Sequence, residues 1–251
     1  QFIKLLTTLN PLSDINIFTI VHIDHLIYRL KNDSQKVASA ICELLQPSIF
    51  PPPSTKGKER TCNTKRVARC IFMMERNLVG AERFYSLLPK YVSSDEILYF
   101  IKFAYFWYDR TINGKPPKLP VMKLVESEEE MTLPAFKDGN DLERLGYEPH
   151  QAIWVIIASL TSILAKKSKS DLEELKQQTF PDFDARKIKE SLPVSLQPSL
   201  FKFISNFQPT EDEIGLALEY LENDESEDWS EALRCLMSWD SLSTFFPDLV
   251  Q

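Results

Sequence analysis

The stretch IDHLIYRLKNDSQKVASAICELLQPSI, residues 23–49, decides the fold. Its first half carries four apolar residues spaced along one face of a helix: Ile23, Leu26, Ile27 and Leu30. Its second half carries a matching set: Val37, Ile41, Leu44 and Leu45. A polar turn separates the halves; we expect its Ser34 to cap the second helix, and Pro47 with the triple proline at 51–53 to end that helix. Two short amphipathic helices joined in this way form a helical hairpin, the repeating unit of an α-solenoid.

The same periodicity continues along the chain. A helix is predicted over residues 64–78, and a second over residues 94–110 that is apolar nearly all round and should lie between neighbours. The last third has three more short amphipathic faces, within residues 200–207, 214–221 and 229–236. The predicted fold class is therefore all-α, a HEAT-repeat solenoid in which antiparallel helix pairs form an α-α superhelix.

Composition supports this class. The 251 residues include only 6 glycines, although the tight turns of sheets depend on glycine. The 16 prolines gather between apolar stretches, as expected where helices end. The chain opens at Gln1 rather than at a methionine, so we expect it to be a piece of a longer protein.

Three segments are predicted from these patterns. Residues 1–112 form helical hairpins with a basic loop, residues 113–148 form an acidic and mobile loop, and residues 149–251 continue the solenoid. The apolar stretch 152–165 is too short to span a bilayer, so it predicts a buried helix rather than a membrane segment.

The charge is divided unevenly. Residues 1–125 carry 18 Lys and Arg against 10 Asp and Glu, whereas residues 126–251 carry 11 against 26, giving the net charge of −7. Five basic residues follow the triple proline and predict a sequence-independent contact with DNA phosphates: Lys56, Lys58, Arg60, Lys65 and Arg66. The alternative is a solvated loop with no ligand.

Acidic residues dominate near the other end. Residues 211–231 contain 10 Asp and Glu and no Lys or Arg. This segment could receive basic peptides, although the outer faces of amphipathic helices are expected to be charged in any case.

No motif points to catalysis, a cofactor or a metal. His22 and His25 are spaced as one helix face requires, but a zinc site needs three or four ligands. The four cysteines show no paired spacing, and three of them lie in apolar helical contexts that suit buried thiols in a reducing compartment. We therefore predict a binding scaffold with no cofactor and no small-molecule substrate, while distant carboxylates that meet in a cleft would favour a helical enzyme.

Three motifs carry a resemblance to a known family. The runs RLKNDSQKVASAICELLQPSIFPP (29–52), NLVGAERFYSLLPKYV (77–92) and SEALRCLMSWDS (230–241) resemble the G-type HEAT-repeat subunits of condensin II. The resemblance extends from about residue 21 to residue 249, except for the acidic middle. It implies a nuclear, chromosome-associated scaffold that binds the kleisin subunit, contacts double-stranded DNA or chromatin, and acts in mitotic chromosome condensation. The alternative is a HEAT or armadillo adaptor that binds only protein, for example in transport or phosphatase assembly.

Overall fold

The computed structural model is helical throughout the part of the chain that it describes. That part comprises residues 23–51, 59–113, 148–166, 172, 175–177, 179–180, 183–222 and 229–239, and it contains no β-strand. The predicted acidic loop lies outside it, apart from its two end residues. The chain divides into two compact units, residues 1–152 and 153–251, with the boundary inside one helix.

Unit 1 begins with the predicted hairpin. Helices α1 (Ile23–Asn32) and α2 (Gln35–Ile49) are followed by α3 (Glu59–Arg76), α4 (Leu78–Leu87), a 3-10 turn (Leu88–Lys90) and α5 (Ser94–Ile112). Helix α4 packs against α1, α2 and α3, and α3 also packs against α5. Consecutive short helices therefore lie against one another, and the all-α prediction is confirmed for the described residues.

Unit 2 is also built from short helices. Helix α6 (Pro149–Ala165) contains the boundary between the units and is followed by α7 (Ala185–Ser191), a 3-10 turn (Val194–Leu196), α8 (Pro198–Ile204), α9 (Glu211–Glu222) and α10 (Ser230–Ser238). Within α6 every residue from 152 to 160 is buried, as the apolar stretch predicted. The aromatic centre of the unit is Phe203, whose ring lies 5.0 Å from Trp154, 5.2 Å from Phe180 and 5.0 Å from Phe207.

The first hairpin differs from its prediction in three details. Val37 is only half-buried, whereas Ile41, Leu44 and Leu45 are buried as expected. Ser34 occupies the N-cap position, but its side chain makes no capping hydrogen bond. Helix α2 continues past Pro47 to Ile49 and ends just before the triple proline at 51–53, so of the prolines expected to end it only the later ones mark its end. Pro47 has no N–H to donate to the Glu43 carbonyl, but the residues after it stay helical and the Phe50 N–H closes the last turn on the Gln46 carbonyl at 2.7 Å.

Two further helices also depart from the prediction. Leu78 does not belong to α3, because Asn77 interrupts the helix and its side chain accepts a hydrogen bond from the Gly80 N–H at 2.8 Å, which caps α4. Helix α5 buries one face only. Its opposite face leaves Tyr99 and Phe106 exposed, at 46% and 48%, so it does not lie between neighbours on every side.

Three cysteines belong to the core. Cys42, Cys70 and Cys235 are free thiols and fully buried, as the sequence predicted for three of the four. Burial raises the pKa of the Cys42 and Cys70 thiols to about 12, and it also raises the pKa of Cys235. The thiolate is the reactive form of cysteine, so these side chains serve packing and not nucleophilic chemistry.

We expect these three thiols to resist modification while the chain is folded. In a Cys62→Ser variant, a thiol reagent such as DTNB should give no fast phase at pH 8, and three thiols should react after unfolding in guanidinium. Because the folded pKa values exceed the ordinary value of 9.0, the contribution of these thiols to stability is complete below pH 9 and is lost as pH rises further. Reaction of any of the three in native buffer at the rate of an exposed cysteine would contradict their placement.

Candidate nucleic-acid interface

The structure separates the five residues predicted to contact DNA. Lys56 and Lys58 lie outside the described residues, and Arg60 lies in the first turn of α3. Lys65 is exposed on α3 and remains available to a ligand. Arg66 is buried, with only 2% of its surface exposed, and this corrects its prediction as a phosphate contact.

The Arg66 side chain points into the protein, where neighbouring groups bind its guanidinium. Its guanidinium donates to the Pro51 carbonyl from Nε at 2.9 Å and from Nη2 at 2.6 Å, and to Asn63 Oδ1 at 3.0 Å. It also pairs with the Glu96 carboxylate and lies 4.1 Å above the Phe50 ring. Arg66 therefore joins the end of α2, the first half of α3 and the start of α5, and its charge is already matched inside the protein.

Arg69, a neighbouring basic residue on α3, is also engaged with the fold. Its Nη1 donates to the Ser48 carbonyl at 2.7 Å, near the end of α2. Helix C-termini leave carbonyl groups without intrahelical partners, and arginine is well suited to satisfy them. The basic run in the sequence thus contains two kinds of residue, one that holds helices together and one, represented by Lys65, that faces solvent.

A different set of basic residues meets in three dimensions. Arg83 on α4 donates to the carbonyls of Leu30 and Lys31 at 2.7 and 3.1 Å, which brings α4 to the C-terminus of α1. The Lys90 ammonium donates to Ser39 Oγ on α2 at 3.2 Å, and the Tyr91 hydroxyl donates to the Ser39 carbonyl at 2.8 Å. These contacts hold α4 against the end of α1, and the first half of α2 against the 3-10 turn and Tyr91.

We call the resulting surface the basic edge: Lys31, Lys36 and Lys90 are its cations, and Arg83, like Arg69, binds carbonyls at a helix end and holds α4 against α1 beside them. Lys36 precedes Ser39 by three residues, so it shares the face of α2 that Lys90 reaches. Lys31, Lys36 and Lys90 are exposed, and Arg83 is half-buried.

Asp33, in the turn between α1 and α2, forms an ion pair with Arg29 at 2.7 Å. Its charge is therefore already matched and does not neutralise the lysines of the basic edge. Two acids lie close to this surface and offset part of its charge. Glu43 follows Ser39 by four residues on α2 and, with burial as the main cause, adds to the raised pKa of Tyr91, while Glu82 is next to Arg83 on α4.

Sequence reasoning missed the basic edge because its members are far apart in the chain. About 50 residues separate Lys31 from Arg83 and Ser39 from Lys90. The one signal that pointed toward it was the positive balance of residues 1–125, which does not identify a face.

The histidines do not come together as a metal or catalytic site in the part of the chain that the structure describes. His25 is exposed, His22 lies outside the described residues, and the His150 ring lies 6.2 Å from the Tyr108 ring, tilted by 46°. Burial lowers the pKa of His150, which favours its neutral form. Within the described residues, no three His, Cys, Asp or Glu side chains come together as a metal site requires.

No helix in the described ranges is both long enough and apolar enough to cross a membrane. When the chain is compared with known proteins, no protein-family model, no curated protein and no solved structure matches it.

Proposed function

We propose that this chain is a non-enzymatic helical scaffold that contacts duplex DNA through the basic edge. The observation that carries the proposal is the convergence of Lys31, Lys36 and Lys90 from two helices and a 3-10 turn onto one surface, where Arg83 holds α4 against the end of α1. Contact with DNA phosphates requires mobile cations and no base-specific geometry, and a few such contacts support weak, salt-sensitive binding. The exposed Lys65 on α3 would add a contact with DNA outside the basic edge, also in unit 1.

The wider assignment rests on the sequence motifs. Two of the three motifs that resemble the G-type subunits of condensin II, residues 29–52 and 77–92, are the segments that supply the basic edge. We therefore propose a HEAT-type solenoid that binds the condensin II kleisin and contacts DNA on chromosomes in the nucleus during mitosis. A pull-down of the kleisin by this chain tests the assignment, and failure to retain it would count against condensin II.

Reversing the exposed charges of the edge should weaken DNA binding. We expect Lys31→Glu/Lys36→Glu to reduce affinity for duplex DNA roughly tenfold or more at low salt. The slope of log affinity against log salt concentration should also become shallower by about 0.9 for each phosphate that the variant no longer neutralises. Gel shifts or fluorescence anisotropy over a salt series, with two unrelated duplexes, would measure both effects and show that affinity is independent of sequence.

Two further variants locate the contact. The pair Lys166→Glu/Lys187→Glu makes the same change in charge at two exposed lysines of unit 2, which the proposal does not place on DNA, and should leave affinity within about twofold. The set Lys56→Glu/Lys58→Glu/Arg60→Glu/Lys65→Glu tests the loop predicted from sequence while leaving the buried Arg66 intact. If only the loop set abolished binding, the basic edge would be the wrong surface.

A second candidate function is that of an adaptor that binds only protein. The exposed aromatic rings of Tyr99 and Phe106 on α5 favour it, because large exposed apolar side chains commonly mark protein interfaces. The salt-series gel shift separates the two, since an adaptor of this kind would show no duplex binding even at low salt.

A further inference from the structure

Helix α1 exposes an aromatic ring beside the basic edge. Tyr28 is 61% exposed, although the apolar face of the same helix is buried. It lies three residues before Lys31, and residues three apart on a helix have their Cβ atoms about 5–6 Å from each other. Long side chains on a helix lean towards its N-terminus, so the Lys31 chain reaches back over the turn that holds Tyr28. An aromatic ring and a lysine ammonium therefore share one exposed surface.

The C-terminal end of α1 is held in place by side chains. The Asn32 amide donates to the Tyr28 carbonyl at 3.0 Å, and Arg83 on α4 donates to the carbonyls of Leu30 and Lys31 at 2.7 and 3.1 Å. The last carbonyls of a helix have no intrahelical partners, so these bonds keep the final turn helical. The backbone that carries Tyr28 and Lys31 is therefore set before a ligand binds.

The charge around Tyr28 favours an anion. Asp24, one turn earlier on α1, pairs with Arg76 at 3.5 Å, so its carboxylate is already matched. On the other side of Tyr28 lies Lys31, and the other two lysines of the basic edge extend the positive charge beyond it. A ligand that offers both negative charge and a flat apolar face is complementary to this surface.

DNA offers both features together wherever its bases are unpaired. In a duplex the faces of the bases are covered by their neighbours and only their edges are exposed in the grooves, so a protein ring adds little to the phosphate contacts. An unpaired base exposes its face, and stacking on an aromatic side chain strengthens binding whichever base it is. Aromatic rings placed beside cations are the means by which proteins bind single strands without sequence preference.

We infer that the basic edge, together with Tyr28, recognises DNA that carries unpaired bases, such as a duplex with a single-stranded tail. The inference rests on the proposed DNA contact, in which the lysines of the basic edge hold the phosphates. Tyr28 stacks on an unpaired base next to them. Affinity for duplex alone comes from the lysines, and the ring adds to it only where a strand has lost its partner.

The test compares a blunt duplex, the same duplex with a single-stranded oligothymidine tail, and the same duplex with an abasic tail of equal length. The two tails carry the same phosphates, so a difference between them is due to the bases. In fluorescence anisotropy, the whole chain should bind the oligothymidine tail roughly fivefold more tightly than the abasic tail, or better. The ratio should persist as salt rises and both affinities fall, because stacking releases no counterions.

Substitutions at two exposed tyrosines of unit 1 locate the ring. Tyr28→Ala should remove the advantage of the oligothymidine tail and leave affinity for the blunt duplex within about twofold. Tyr28→Phe keeps a ring and should retain the advantage. Tyr99→Ala removes a tyrosine that is 46% exposed on α5 and should change neither affinity. Circular dichroism of each variant should match that of the parent, since exposed side chains contribute little to stability.

The outcomes distinguish this inference from the proposed function. Equal affinities of the parent for the two tails, or an advantage that survives Tyr28→Ala, would overturn the inference and leave the duplex contact standing. If the parent bound no form of the DNA, both would fail. Loss of affinity for the blunt duplex in Tyr28→Ala would make Tyr28 part of the duplex contact and would also overturn the inference.

Discussion

Replacing Arg66 with alanine should destabilise unit 1 by about 3–5 kcal/mol, since it removes one partner of a buried ion pair. The Glu96 carboxylate, the Asn63 side-chain oxygen and the Pro51 carbonyl would all lose their donor, and the Phe50 ring would lose the cation above it. The loss is larger than that of a surface ion pair because the guanidinium is 3% exposed and the carboxylate 30%. Urea denaturation followed by circular dichroism measures the total loss. Hydrogen exchange of α2, α3 and α5 shows where it falls.

The adjacent residue provides the control for Arg66→Ala. Lys65 is exposed on the same helix, so Lys65→Ala should change stability by no more than about 0.5 kcal/mol. Glu96→Gln keeps a hydrogen-bond acceptor opposite Arg66 and should cost less than Arg66→Ala. A loss below about 1 kcal/mol for Arg66→Ala would contradict the buried network and would return Arg66 to the candidates for DNA contact.

Replacing Gly80 with alanine should cost about 1–3 kcal/mol because the added methyl group has no room. A Cβ at this position would lie 2.6 Å from the Ile27 carbonyl oxygen and 3.0 Å from the Ile27 Cγ2. The oxygen belongs to the backbone of α1, so α1 and α4 would have to move apart. Thermal or urea unfolding would measure the loss, and hydrogen exchange should show weaker protection in α1 and α4.

Replacing Gly215 with alanine should have the opposite effect on the stability of the protein. It lies within α9, and a Cβ there would meet no atom within 4 Å. Gly215→Ala should therefore stabilise the protein by about 0.5–1 kcal/mol, since alanine loses less backbone entropy on folding into a helix. Equal effects of the two substitutions would show that helix propensity, and not the close approach of α1 to α4, controls both positions.

The helical class and much of the core followed from local periodicity. Ile23, Leu26, Ile27 and Leu30 were assigned to a buried face from their spacing, and all four are buried. The ends of two helices were predicted less accurately: α2 continues past Pro47, and Leu78 begins α4 rather than ending α3. Where a helix ends depends on its capping residue and on its last hydrogen bonds. Alternative end points differ in free energy by only about 1 kcal/mol, so they leave a weaker signal in the sequence than apolar periodicity does.

The candidate binding surface was only partly accessible to sequence reasoning. A run of basic residues predicts local positive charge, but it does not distinguish Lys65, which faces solvent, from Arg66, which is buried one position later. Consecutive residues on a helix point about 100° apart, so burial changes with every step along the chain. Only the packing partners decide which side chain is enclosed.

The sequence by itself therefore determined the helical type of the elements, the apolar face of each helix and the division of charge along the chain. Each of these depends on neighbours within a few turns of one helix. Tertiary structure alone decided that Arg66 is a structural residue and that Lys31, Lys36, Arg83 and Lys90 share an edge. It also decided that Trp229 and Met237 remain in solvent. These outcomes depend on contacts between helices distant in sequence, where each side chain competes for partners that no local pattern specifies.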